Sequence, residues 1–122
     1  MIGYVTLGTS NMERAKKFYD ELFAVIGAKR AMDSDSFCMW SNSATGGGVA
    51  VIKPFDGKAA TVGNGVMVAL AVDSKEKVNA VHAKALALGG KDEGKPGPRG
   101  GNFYAGYFRD LDGNKLNAFI MG

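Results

Sequence analysis

Gly3–Gly27, GYVTLGTSNMERAKKFYDELFAVIG, and Val66–Gly90, VMVALAVDSKEKVNAVHAKALALGG, decide the fold when one is written beneath the other. They align without a gap at a spacing of 63 residues, with Val5 over Val68, Leu7 over Leu70, Glu13 over Glu76, Ala24 over Ala87 and Gly27 over Gly90. Each begins inside an apolar, strand-like run, Ile2 to Gly8 and Val66 to Val72. Each continues with a polar residue followed three positions later by glutamate, Ser10 to Glu13 and Asp73 to Glu76. That spacing reads as a capping box, in which the first side chain caps the helix amides and the glutamate reaches back. Helical stripes follow: Ala15, Phe18, Leu22 and Val25 lie over Val78, Val81, Ala85 and Leu88. Gly27 and Gly90 then stand where a helix C-terminus takes a left-handed residue. A shared order of strand, cap, stripe and glycine marks an internal repeat, and a repeat sets the whole architecture.

Working outward, each half continues into short strands. The first half has Lys29 to Met32, Ser36 to Asn42 and Gly48 to Pro54. The second has Gly90 to Glu93, Phe103 to Asp110 and Lys115 to Met121. Asp112-Gly113 is a hairpin signal, and Asp33 to Asp35 is a similar polar turn. Gly94 to Asn102, GKPGPRGGN, shows neither helical nor strand period and reads as a loop. Asp56 to Asn64 links the halves. The expected order is β-α-β-β-β twice, an α+β fold with half-repeats of about 1–56 and 64–122 in one domain spanning residues 1–122.

Composition narrows the function classes. The formal net charge is +3, and the basic residues are scattered rather than clustered, which argues against nucleic acid. Cys38 is the only cysteine, so no internal disulfide forms and a reducing compartment is expected. No uninterrupted apolar run has the length of a membrane span, and the N-terminus lacks a signal-peptide pattern. The expected location is the cytoplasm. No G-x-S-x-G elbow is present, and GKPGPRGG lacks the lysine-serine/threonine ending and following helix of a phosphate loop.

Three segments carry a resemblance: Tyr4–Tyr19 (YVTLGTSNMERAKKFY), Val78–Gly90 (VNAVHAKALALGG) and Gly106–Asn117 (GYFRDLDGNKLN). Together they resemble the vicinal-oxygen-chelate superfamily, the glyoxalase/bleomycin-resistance/dioxygenase proteins. The first is similar to that family's opening strand and "ER…FY" helix. The last is similar to its "RDPDGN" hairpin, with Leu111 where proline is usual. The resemblance implies two βαβββ repeats forming an open, cup-shaped mixed sheet with helices on the outer face. It also implies four strand positions converging on a metal. Carried onto this chain, they fall on Tyr4, Met67, Asn117 and an apolar residue near Val49 or Val51. A protonated phenol, a thioether and one amide do not suit a divalent cation, which takes His, Asp or Glu. No metal or other cofactor is therefore expected.

The candidate ligand-binding residues are Tyr4, Trp40, Met67, Arg99, Tyr104 and Asn117, with Phe119 as a further aromatic. Mostly apolar walls with few polar groups are how small-molecule sites are built. Asn117 is the polar group of choice, because an amide in an apolar strand needs a partner. Arg99, in the Gly/Pro-rich stretch, suits a carboxylate or phosphate. The more ordinary readings stand beside these: aromatic residues that fill a core, a solvated loop arginine, and a packed Cys38 on the same strand face as Trp40. His82, the lone histidine, sits in a helix and builds no site by itself. The leading expectation is a metal-free small-molecule binder of the bleomycin-resistance kind. The alternatives are a metal-dependent glyoxalase or dioxygenase, lactoylglutathione-lyase-like, and an interaction module whose cup is filled by its own side chains. A homodimer is expected for all three, since open sheets leave edges that want cover.

Overall fold

The computed structural model describes all residues, 1–122. The chain runs β1 (Tyr4–Gly8), α1 (Met12–Ala24), β2 (Lys29–Asp33), β3 (Phe37–Ser41), β4 (Gly48–Ile52), β5 (Val68–Ala71), α2 (Lys75–Ala87), β6 (Lys91–Pro98), β7 (Phe103–Arg109) and β8 (Lys115–Met121). The repeat is visible in the elements: both helices have 13 residues, and each position of α1 meets its counterpart in α2 63 residues on. The strands form two open four-stranded mixed sheets, ordered β1-β4-β3-β2 and β5-β8-β7-β6. In each, the opening strand runs parallel to the last strand of its half, and the remaining pairs are antiparallel.

Alternation along the strands separates two faces. Leu7, Cys38, Trp40 and Val51 turn to the α1 side, where they join Phe18, Leu22 and Phe23. In the second half Leu70, Phe108, Leu116 and Ala118 turn to α2 and meet Val78, Val81 and Ala85. These side chains form one continuous core. Trp40 packs against Tyr19 and Phe23, and its indole N–H donates to Asp20 at 2.9 Å.

The halves are joined by the β7–β8 hairpin. Tyr19 of α1 donates its hydroxyl to the Asp110 carboxylate at 2.5 Å. Asp110 also accepts the backbone N–H groups of Asp112 and Asn114, which shapes the turn. Asn114 donates its amide to the Gly8 carbonyl, and Asp112 accepts from the Ser10 N–H and pairs with Arg14. The RDLDGN motif therefore reads out the start of α1 across the molecule. Burial, reinforced by the Asp110 charge, pushes the Tyr19 hydroxyl well above its ordinary pKa.

Four sequence expectations change. The helix caps lie one residue later than the capping boxes imply. Asn11 caps α1 by accepting the Arg14 N–H, and Ser74 caps α2 by accepting the Lys77 N–H. Glu13 and Glu76 thus stand one position too early to reach back to the cap. Ser10 instead accepts the Ala60 N–H from the segment between the halves. The left-handed residue after α2 is Gly89, with φ +98°, not Gly90; Gly27 takes that role after α1, with φ +72°. The Gly94–Asn102 stretch is not all loop, since β6 continues through Pro98. It is the outermost strand of its sheet, where proline costs no ladder bond, and its register slips between Asp92 and Gly94 and again before Gly97. Finally, the counterpart of Asn117 is Ala50. Thr6 pairs with Ala50 as Ala69, 63 residues on, pairs with Asn117. Val49 and Val51 point to the other face.

Candidate functional site

The six candidate residues are not brought to one place. Trp40 and Met67 share a cleft of about 460 Å³, where the first half meets β5. Phe23, Ile26, Val5 and Val49 supply its apolar wall from the first half. Ala69 and Ala71 of β5 close the other side, and Ser41 and Asn42 add the polar rim. Trp40 is only 2% exposed, so it presents an edge to the cleft while its body belongs to the core. This corrects its placement in a cup: the indole lies on the α1 side of its strand.

Tyr104 is corrected in the same way. Its hydroxyl donates to Asn79 of α2 at 2.8 Å, and the Lys75 ammonium lies over its ring. It therefore belongs to the helix side of β7. Tyr4 points away from the helices, half exposed, with its ring edge-on to Phe37 at 5.9 Å.

Asn117 is 1% exposed and lies on the face of β8 away from α2, because its neighbours Leu116 and Ala118 join the core. Its side-chain oxygen has no hydrogen-bond partner. On that face β7 sets Tyr107 directly opposite Asn117, and Phe103 stacks on Phe119 at 5.4 Å. Arg99 does not hang free over the sheet. Its guanidinium lies 5.4 Å from the Tyr107 ring centroid and donates to the Lys95 carbonyl at 2.6 Å. Lys115 approaches the same ring at 5.5 Å.

Sequence reading missed Tyr107 and Lys115. The signal was available: an Asp112-Gly113 hairpin fixes the β7–β8 register, and that register puts Tyr107 across from Asn117. Lys115 stands two residues before Asn117, on the same face.

The positions that the resemblance assigned to a metal hold Tyr4, Met67, Ala50 and Asn117. A phenol, a thioether, a methyl group and an amide do not fit a hard or borderline divalent ion. No three His, Cys, Asp or Glu side chains gather anywhere in the fold. His82 is buried and shares a hydrogen bond with Asp92 at 3.0 Å, pinning α2 to β6. Cys38 is fully buried, and that burial pushes its thiol pKa up, which opposes reactivity.

Comparison with known proteins gives a consistent family. The model of the Glyoxalase/Bleomycin resistance protein/Dioxygenase superfamily matches residues 1–118. A solved glyoxalase/bleomycin resistance protein from Albidiferax ferrireducens T118 is 34% identical, with a TM-score of 0.92 over 100% of this chain and 99% of that one. Two further structures share the fold at lower identity. Lactoylglutathione lyase from Agrobacterium tumefaciens is 17% identical, with a TM-score of 0.72 over 98% of this chain and 92% of that one. The fosfomycin resistance protein FosX from Mesorhizobium loti is 17% identical, with a TM-score of 0.70 over 100% and 92%. No curated protein sequence matches. With nearly the whole chain matched by the family model, and a relative one-third identical along its full length, this chain belongs to the glyoxalase/bleomycin resistance protein/dioxygenase superfamily.

Proposed function

We propose that this chain binds a small, largely apolar organic molecule without a metal ion, in the manner of bleomycin-resistance proteins. The observation that carries this reading is the cleft beside Trp40. Its volume of about 460 Å³ falls within the range of small-molecule sites, roughly 300–1,000 Å³. Twelve of its 16 lining residues are hydrophobic, which favours an apolar body over a sugar or nucleotide. Ser41 and Asn42 at the rim offer hydrogen bonds that orient the ligand. A vicinal-oxygen-chelate reaction needs a Lewis acid to hold two oxygens, and the strand positions that serve it elsewhere hold no suitable donors here.

Trp40 is the only tryptophan, so its emission reports the cleft directly. Small aromatic and aliphatic fragments, titrated with EDTA present, are expected to shift that emission and to raise the melting temperature. Ala71→Phe places a ring in the cleft from an exposed wall position and should abolish both effects without unfolding the chain. Binding that appears only after loading with nickel, zinc or iron would overturn the proposal in favour of a metal-dependent enzyme.

A further inference from the structure

We propose a second site on the other face of the β5–β8 sheet: Tyr107, Arg99 and Lys115 form a seat for a small oxyanion, a carboxylate or phosphate group. The site is separate from the Trp40 cleft and goes beyond that reading. None of these three residues lines the cleft.

Tyr107 stands on β7 between two cations. Arg99 reaches it from the β6 side and Lys115 from the β8 side, each within about 5.5 Å of the ring centroid. Neither cation has a carboxylate within 4 Å. Arg109, on the same face of β7, is already paired with Glu93. Lys115 acts on Glu93 through space without forming an ion pair with it. Two positive charges are thus held close together on one ring and left without a counter-charge.

The arginine is built into place rather than adrift. A methyl group added at Gly94 would lie 3.3 Å from one terminal guanidinium nitrogen, and one at Gly97 would lie 3.2 Å from the other. The Gly94 position would also press on the Tyr107 ring at 3.2 Å. These two glycines clear the space that the guanidinium fills. The Lys95 and Pro98 carbonyls each accept one of its hydrogen bonds. Guanidinium has five N–H donors in a fixed fork, so three remain for an incoming oxyanion, which it binds best in bidentate fashion. Lys115 adds a point charge beside it.

Asn117 is an independent sign of recognition on this face. It pairs across the ladder with Tyr107, and its buried side-chain oxygen accepts from nothing. An oxyanion whose own skeleton carries an N–H or O–H would satisfy both ends. The cations take the charge, and the amide oxygen takes the donor once its neighbours part. A simple hydrocarbon carboxylate would leave that oxygen orphaned. The preferred ligand class is therefore a hydroxylated or aminated small acid, or a phosphate ester with a free hydroxyl.

The test is an NMR titration of the whole chain with inorganic phosphate, with glycolate and with acetate, at constant ionic strength set by chloride. Saturable shifts confined to Arg99, Tyr107 and Lys115 are expected, with glycolate tighter than acetate. Arg99→Gln and Lys115→Gln should each weaken binding about tenfold, the size expected for losing one charge-assisted contact. Arg99 is exposed, so its substitution should leave the melting temperature in place. Ala71→Phe, which blocks the cleft, should leave phosphate binding unchanged. Shifts that grow linearly and equally at every surface lysine would overturn the site. So would Arg99→Gln and Lys115→Gln variants that bind like the parent, or an Ala71→Phe chain that loses phosphate.

Discussion

Asp20 shows how one side chain couples the core to the surface. Its carboxylate accepts the Trp40 indole N–H at 2.9 Å and takes both arms of Arg30, at 2.9 and 2.7 Å. Arg30 in turn pairs with Asp33, which also holds Lys16. The Arg30 guanidinium is the first cause that holds the Asp20 carboxyl below its ordinary value of 3.8. A carboxyl lowered by folding stabilises the fold fully above its ordinary pKa, and that contribution fades as the pH falls through the lowered value. Asp20→Ala strands a part-buried indole donor and should cost about 1–3 kcal/mol at pH 7, as for other orphaned polar groups. Urea unfolding followed by Trp40 emission measures this cost. The gap between parent and variant should narrow at pH 3. A gap of equal size at both pH values would show that the ion pair contributes nothing and that only packing was lost. Composition did not reveal this residue, because a helix aspartate looks like surface until β3 lays Trp40 beneath it.

Element by element, the repeat was legible and its edges were not. Hydrophobic spacing placed both helices and their 63-residue relation, because apolar stripes report burial directly. The caps slipped by one residue, because Ser10 and Asn11 are both competent caps and only the backbone decides between them. The structure gives the role to Asn11, whose φ and ψ of −145° and 91° are the extended geometry of a cap. Asn11→Ala should therefore cost about 1 kcal/mol, while Glu13→Ala should cost close to nothing. Thermal or chemical denaturation of the pair decides between them. A larger loss for Glu13→Ala would restore the capping box. The β6 strand was hidden for a different reason. Gly94, Pro96, Gly97 and Pro98 carry low strand propensity, and an edge strand with slipped register tolerates them. The same glycines that hid the strand make room for Arg99, so the local rule fails where a side chain needs the space.

At the scale of the molecule, the two sheets differ in how their edges are guarded. The outer edge β2 carries Lys29, Arg30 and Asp33, and β6 carries prolines and register slips, which are common ways to discourage pairing. At the other edges, β1 and β5 read YVTLG and VALA, with no charge at all. Each has one hydrogen-bonded neighbour, and exposed Ile2, Tyr4, Val66 and Met67 lie along or beside them. Unprotected apolar edges of this kind call for cover, and a second copy of the chain is the simplest cover, since a two-fold axis lets one edge serve both partners. We therefore expect a homodimer of two 12.8 kDa chains, with β1 and β5 at the contact. Light scattering after size exclusion measures this directly. Tyr4→Lys together with Val66→Lys puts a charge beside each bare edge at positions already 55% and 62% exposed, so folding is spared. The doubly substituted chain should run as a monomer with its circular dichroism intact. A parent chain that stays at 12.8 kDa at high concentration would show that β1 and β5 are covered within one copy. A substituted chain that still dimerises would move the contact to the guarded edges or to the helices.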